Sequence, residues 1–304
     1  MADIKIYGTF KNATDSGKIA YASQVYDEAQ DKMQSEINNE IKTPIPPKMR
    51  IAAWNVGGFS LGTSGDPTIT PATLDEMSAK WHDALNRLGA DILCCCEYNT
   101  EFMDEQSGYD AVNARDEIFS PAIFKYAAIG PKLSSNHYMQ TAIFANTTLE
   151  NMVRVTYPQT TQTGRYYEVV DVMIAGKLVK VVSTHLDFNQ GNTESAREQS
   201  HQNRIAQINK LIDDFRDFPH VVICADFNIH PDDITDYDIF KDAGYEMINH
   251  GYVGNVMTYP AGDTPTSPLD NIVYRGFTSH RIDILNDATL SDHAAIFADF
   301  TMIL

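Results

Sequence analysis

From Met49 onward the chain is cut into short apolar runs of strand length, and each meets a polar side chain where it gives way to loop. AAWN ends on Asn55, DILCCCE on Glu97, VVSTH on His185, and VVICADFN on Asp226 and Asn228. LDNIVY carries Asp270 and LSDHAAIF carries Asp292 and His293. Runs of this length without alternation read as strands buried on both faces. The spacing predicts strands at 49–56, 90–98, 137–146, 166–175, 177–186, 221–228, 269–274, 279–285 and 293–300. Amphipathic helices are predicted over Thr73–Leu88, Ala196–Phe215 and Ile234–Ala243, with a long irregular stretch between 98 and 131. Strands buried on both faces and separated by helices require two sheets packed together and covered by helices.

The polar residues are expected at the C-terminal ends of these strands, the edge of a rigid scaffold where sites are usually built. Taken singly, an Asn or Asp after a strand is most often a turn residue or a helix cap. A lone His is more often a satisfied, partly buried side chain than a catalyst. The set is harder to explain by turns, because it combines carboxylates, amides and imidazoles with no thiolate. Hard oxygen donors of this kind suit Mg²⁺, Mn²⁺ or Ca²⁺.

Apolar residues make up 43% of the chain, enough for a substantial core. The net charge of −18 argues against a broad basic footprint for nucleic acid. It leaves room for a phosphate-cleaving site, since a bound dication supplies positive charge locally. Cys94, Cys95 and Cys96 are consecutive within an apolar run, so they point alternately to opposite faces and form neither a spaced zinc motif nor a disulfide framework. They read, with Cys224, as small buried hydrophobes. The residues after Met1 show no basic region leading into an apolar segment, so no signal peptide is read, and no apolar stretch is long enough to span a bilayer.

The prolines of KTPIPPK, at 44, 46 and 47, forbid a helix and mark a boundary between residues 1–46 and 47–304. Before it lie a short alternating segment, IKIYGTF, and a helix from about Ser23 to Ile41 with Tyr26, Ala29, Met33, Ile37 and Ile41 on one face. That stripe fits packing on a partner chain or on the main domain equally well.

In order and spacing, WNV, the acidic residue closing ADILCCCE, STHL, CADFN, LDNI and the terminal SDH resemble the endonuclease/exonuclease/phosphatase superfamily, the fold of pancreatic-type deoxyribonucleases, from Met49 to the end. The resemblance implies an α/β (α+β) fold in which two packed, mainly antiparallel sheets are flanked by helices in a four-layer α/β/β/α sandwich, here preceded by a short strand–helix segment. It implies a divalent metal, Mg²⁺ or else Mn²⁺ or Ca²⁺, with Glu97 as principal ligand and Asn55 and Asp292 close to the ion directly or through water. It implies that Asp226 positions or deprotonates the attacking water and that Asn228 bonds a phosphoryl oxygen. His293 would lie over the same phosphate, oriented by Asp270, and His185 would donate to another phosphoryl oxygen. The chain departs from the family at Cys96, where a Gln usually precedes the metal-binding Glu, and at Ala225, where a Gly usually precedes the Asp. Arg204 and Gln207 match a recurrent R-x-x-Q pattern read as structural.

The same resemblance implies a metal-dependent phosphoric ester hydrolase, with a DNA-cleaving nuclease of little sequence preference as first expectation and DNA as partner. A phosphomonoesterase or phospholipase acting on inositol phosphates or sphingomyelin is the alternative. The first 46 residues are similar to segments that head tail and fibre proteins of gut bacteriophages, which implies an attachment or oligomerisation piece, and a virion-associated or cytoplasmic location. On that alternative the domain serves as a virion component for attachment.

Overall fold

The computed structural model describes residues 48–59, 73–102, 112–131, 140–158, 165–188, 193–249 and 256–303. The N-terminal strand, helix and attachment readings fall outside these residues.

Two six-stranded sheets form the domain. The first has the order β13-β14-β1-β2-β6-β5, built from β1 (Lys48–Asn55), β2 (Ile92–Tyr98), β5 (Tyr126–Ile129), β6 (Gln140–Ala145), β13 (Phe277–Leu285) and β14 (Ala295–Met302). The second has the order β11-β12-β10-β9-β8-β7, from β7 (Glu150–Thr156), β8 (Tyr166–Ile174), β9 (Lys177–His185), β10 (Val221–Asp226), β11 (Glu246–Met247) and β12 (Asp270–Arg275). A ribbon of β3 (Glu101–Phe102) and β4 (Val112–Asn113) stands apart. Each large sheet contains a single parallel pair, β1 with β2 and β9 with β10; its other pairs are antiparallel.

Alternation along each strand sorts side chains into separate layers. Ile51, Ala53 and Cys94 face inward to meet Val181, Cys224 and Ile272 of the other sheet. Ala52, Trp54 and Cys95 face outward, where Trp81, Leu85 and Leu88 of α1 (Leu74–Leu88) cover them. On the far side Val182, Val221 and Ile223 pack under Ile208, Leu211 and Phe215 of α3 (Glu194–Phe215) and Phe240 of α4 (Tyr237–Asp242). The short α2 (Ala114–Glu117) begins from Asn113, whose side chain accepts from the Arg115 amide. The result is the helix/sheet/sheet/helix sandwich expected from the sequence. The cysteines are free and buried, packed as small apolar groups. Among the described residues no helix is long and apolar enough to cross a membrane.

The sequence reading missed β5 and β7, along with the two-residue strands β3, β4 and β11 and the single turn of α2. β5 is a four-residue YAAI at a sheet edge, too short to show a period. β7 is the opposite kind of edge strand, ENMVRVT, exposed along nearly its whole length, so burial imposes no alternation on it. The helix expected at 234–243 is instead a 3-10 turn over Pro231–Asp236 followed by the shorter α4.

Deep between the sheets, away from the polar edge, the second sheet carries a carboxylate. Glu168 of β8 is 0% exposed and lies opposite Ser183 of β9 and Arg154 of β7. Burial raises its carboxyl to about 7, with the Arg154 charge pulling the other way. A raised carboxyl stabilises the fold fully below its unfolded value, and that contribution disappears as pH rises through the folded value. Stability is therefore expected to fall between pH ~4.3, the unfolded reference, and about 7. Glu168→Gln should flatten this dependence and stabilise the chain at pH 8 by up to about 3 kcal/mol. Urea unfolding of both proteins at pH 5 and pH 8 checks it; equal pH dependence in the two would show that the carboxyl stays charged.

Candidate active site

The parallel pairs put the C-terminal ends of β1, β2, β9 and β10 at one edge of the sandwich, carrying Asn55, Glu97, His185 and Asp226. Asp270 and His293 correct the expectation that every site residue closes its strand. Asp270 opens β12, and Asp292 and His293 precede β14. Both strands run antiparallel to their site-bearing neighbours, so their starts lie at the edge where β10 and β1 end; Asp270 pairs directly with Asp226.

Local backbone distortions aim these side chains. Glu97 has φ 49 and sits in the irregularity where β2 loses register with β6 between Cys95 and Tyr98. A bulge of this kind re-aims a side chain out of strict alternation. Asn228 has φ 52, and its backbone N–H donates to Asp226 Oδ1 at 2.9 Å, an Asx turn that bends the chain sharply after β10. Phe227 between them is fully buried, its ring edge-on to Tyr237 and Phe240. That anchor fixes the polar residues on either side.

The side chains form one connected set. Asn55 Nδ2 donates to Glu97 Oε1 and to Asp226 Oδ2, both at 3.1 Å. Its Oδ1 accepts from the Gly57 N–H at 3.0 Å, so in this arrangement the amide bridges two carboxylates and its oxygen is turned to its own backbone. His185 lies between the same carboxylates, Nε2 at 3.5 Å from Asp226 Oδ2 and Nδ1 at 3.8 Å from Glu97 Oε1. His293 Nδ1 meets Asp270 Oδ2 at 2.8 Å, and its Nε2 is 3.8 Å from Asp226 Oδ2. Asn228 Nδ2 donates to the Leu186 carbonyl at 3.0 Å, which leaves its second N–H for a ligand. Asp292 is half-buried beside Gly57, where a Cβ would come within 3.4 Å of Asp292 Oδ1. Gly57 also has φ +57, so both space and backbone favour glycine there.

The loop before β14 is tied to β1. Ser291 Oγ donates to the Asn55 carbonyl at 2.6 Å and accepts from the His293 N–H at 3.1 Å, while Trp54 Nε1 donates to the His293 carbonyl at 2.9 Å. His293 is thus held by backbone and side chain together.

Burial divides the protonation states of the two histidines. Burial pushes His185 well below its ordinary value, and the charges of Arg165 and His293 push it further, so this ring is neutral. Burial also acts against His293⁺, but the charge and hydrogen bond of Asp270, with Asp226 and Asp292, overcome it and raise the ring to about 10. Asp226 is raised, first by burial and then by Asp270, with His293 pulling it down. Glu97 is raised by burial and by Asp292, against the Asn55 hydrogen bond and the charges of His293 and Arg165.

Sequence reasoning passed over two residues that the structure brings here. Arg165 is buried just before β8, its Nη1 donating to the His185 carbonyl at 3.1 Å and its Nε 3.7 Å from Asp187 Oδ1; its charge acts on Glu97 and Asp226. Tyr259 lays its ring against His293, with centroids 4.7 Å apart and planes at 42°. Neither follows an apolar run into a loop, the pattern that singled out the others. Arg204 and Gln207 are structural as read: Arg204 pairs with Asp233 at 2.5 Å, and Gln207 Oε1 accepts from the Asp187 N–H at 3.0 Å.

No protein-family model matches the sequence. No curated protein matches it by sequence. Solved structures match by shape. An endonuclease/exonuclease/phosphatase from Beutenbergia cavernae DSM 12333 superposes with a TM-score of 0.61 at 15% identity, over 84% of this chain and 72% of that one. The human Nocturnin catalytic domain with bound sulfate anion gives a TM-score of 0.59 at 18% identity, over 84% and 94%. TDP2 of D. rerio complexed with single strand DNA product gives 0.56 at 16% identity, over 84% and 99%. The chain has the endonuclease/exonuclease/phosphatase fold.

Proposed function

We propose that this chain is a divalent-metal-dependent phosphodiesterase, a nuclease that hydrolyses DNA by attack of water on the phosphodiester. The observation that carries the reading is the connected set at one sheet edge in which Asn55 links a half-buried Glu97 to Asp226 and His293 is oriented by Asp270. A phosphoryl transfer needs a positioned water, an acceptor for its proton, and donors for the charged oxygens. The set supplies each.

Asp226, raised by burial, is suited to take the proton of the water as its oxygen bonds to phosphorus and the bond to the leaving oxygen breaks. His293, kept cationic by Asp270, offers Nε2–H to a phosphoryl oxygen. Neutral His185 and the second amide N–H of Asn228 offer further donors. Tyr259 and the tied loop hold His293 in place.

The residues fit a hard dication. Glu97 and Asp292 present carboxylate oxygens without a thiol, and Asn55 would offer its amide oxygen on turning it from the Gly57 N–H. Burial is the largest cause of the rise at Glu97, and a cation beside it would offset that cost. A cation bound there would neutralise a non-bridging oxygen and the charge developing on the leaving oxygen.

DNA as substrate is supported by the fold shared with a TDP2 whose structure holds a single strand DNA product. A chain with a net charge of −18 gains no long-range attraction to a polyanion, so the site itself must provide the affinity. Plasmid DNA and bis(p-nitrophenyl) phosphate, each with Mg²⁺ or Mn²⁺, test the reading. Turnover is expected with metal, is expected to vanish on adding EDTA, and is expected to return with excess Mg²⁺. Parallel assays on RNA, inositol phosphates and sphingomyelin identify the substrate. Absence of metal-dependent turnover on every phosphoester would overturn the proposal.

A further inference from the structure

Away from this edge, α3 and the turn after β10 bring together another group of ligand-type side chains. His201, Asp233 and Asp236 each place a ligand atom within 4.8 Å of the others. His201 Nε2 lies 3.0 Å from Asp236 Oδ1. Asp236 is only 5% exposed, and its other oxygen, Oδ2, is buried with no hydrogen-bond partner among the described residues. A carboxylate oxygen removed from water without a donor is costly, so native structures usually give such an atom a partner. Among the described residues no protein group provides one. The buried Arg204 pairs with Asp233 Oδ2 at 2.5 Å and fixes that carboxylate.

The chemistry of the set narrows what would complete it. One imidazole and two carboxylates, with no thiol and no backbone carbonyl ring, form the three-ligand pattern of transition-metal sites that keep a position open for water. Ligand atoms about 2.1 Å from one tetrahedral ion stand about 3.4 Å apart, so His201 Nε2 and Asp236 Oδ1, 3.0 Å apart, would separate by a few tenths of an ångström to admit it. An entry path exists. His201 and Asp233 line a solvent cleft of about 630 Å³, together with Glu194, Glu198, His230 and Arg197, whose balance of charge is acidic.

We propose that His201, Asp233 and Asp236 hold a divalent transition-metal ion of the zinc class, at a site separate from the phosphoryl pocket. The ion clamps α3 to the Pro231–Asp236 turn. That turn starts three residues after Asn228, so the clamp braces the segment on which Asp226 and Asn228 are carried.

Isothermal titration of the full chain with Zn²⁺ tests this. The wild type is expected to take up one equivalent more than His201→Gln, a change that keeps an N–H facing Asp236 and so preserves the local fold. Asp236→Asn, in which the buried oxygen no longer carries charge, is expected to lose the same equivalent. Uptake of as many equivalents by both variants as by the wild type overturns the proposal. Diffraction of wild-type crystals soaked in Zn²⁺ gives a readout independent of any variant. An anomalous peak bridging His201 and Asp236 is the predicted result, and anomalous density confined to the neighbourhood of Glu97 contradicts it.

Discussion

His293→Gln is expected to lower kcat toward a phosphodiester by about 10³-fold while leaving the fold intact. The glutamine amide can still donate to Asp270, so the buried carboxylate keeps a partner and the large cost of an orphaned charge is avoided. What disappears is the cation that the Asp270 hydrogen bond holds at 2.8 Å and raises to about 10. Because the lost interaction is with charge that develops in the transition state, kcat should fall much more than KM changes. Asp270→Asn should cost a similar factor by removing the charge that orients and protonates the ring. The two residues act as one unit, so the double variant is expected to be little worse than either single change. Steady-state kinetics on bis(p-nitrophenyl) phosphate across the cycle decides it. Full additivity would mean that Asp270 and His293 serve separate purposes.

The second large effect is expected at Glu97. Its replacement by alanine removes the carboxylate that Asn55 orients at 3.1 Å, and with it the central oxygen ligand of the proposed cation site. Turnover at a fixed low Mn²⁺ concentration should fall by about 10³-fold, the scale of losing one preorganised electrostatic group. The defect should shrink as Mn²⁺ is raised, because Asn55 and Asp292 remain. Kinetics as a function of Mn²⁺ concentration check this. A Glu97→Ala protein with unchanged metal dependence would place the ion elsewhere. Asp226 is a useful contrast, since Asp226→Asn keeps the hydrogen bond from Asn55 but gives up the proton acceptor, and its defect should persist at saturating metal.

Much of this arrangement was legible before any coordinates. AAWN, DILCCCE, VVSTH and VVICADFN announce both a buried strand and a polar group at its mouth, and alternation then assigns the layers. That is why most of the strand framework and the candidate polar set could be read from the order of these runs. Strand direction could not. Asp270 and His293 sit at the beginnings of β12 and β14, and only the antiparallel pairing places them beside the ends of β10 and β1. Glu97 shows another limit, because its aim depends on a register shift against β6 that is a property of the pair of strands. Arg165 and Tyr259 reach the site from segments with no apolar run before them, and their roles arise wholly from tertiary contact. Edge strands such as β7 lack a signal because nothing covers their faces.

On the proposed function, side chains from Asn55 to His293 enclose a single pocket for a cation and a phosphoryl group. Crystals soaked with Mn²⁺ and thymidine monophosphate, measured at the manganese absorption edge, address it directly. An anomalous peak is expected in the coordination shell of Glu97, with the phosphate of the nucleotide within hydrogen-bond reach of His293 and His185. A manganese peak remote from Glu97, or a phosphate bound away from both histidines, would contradict it.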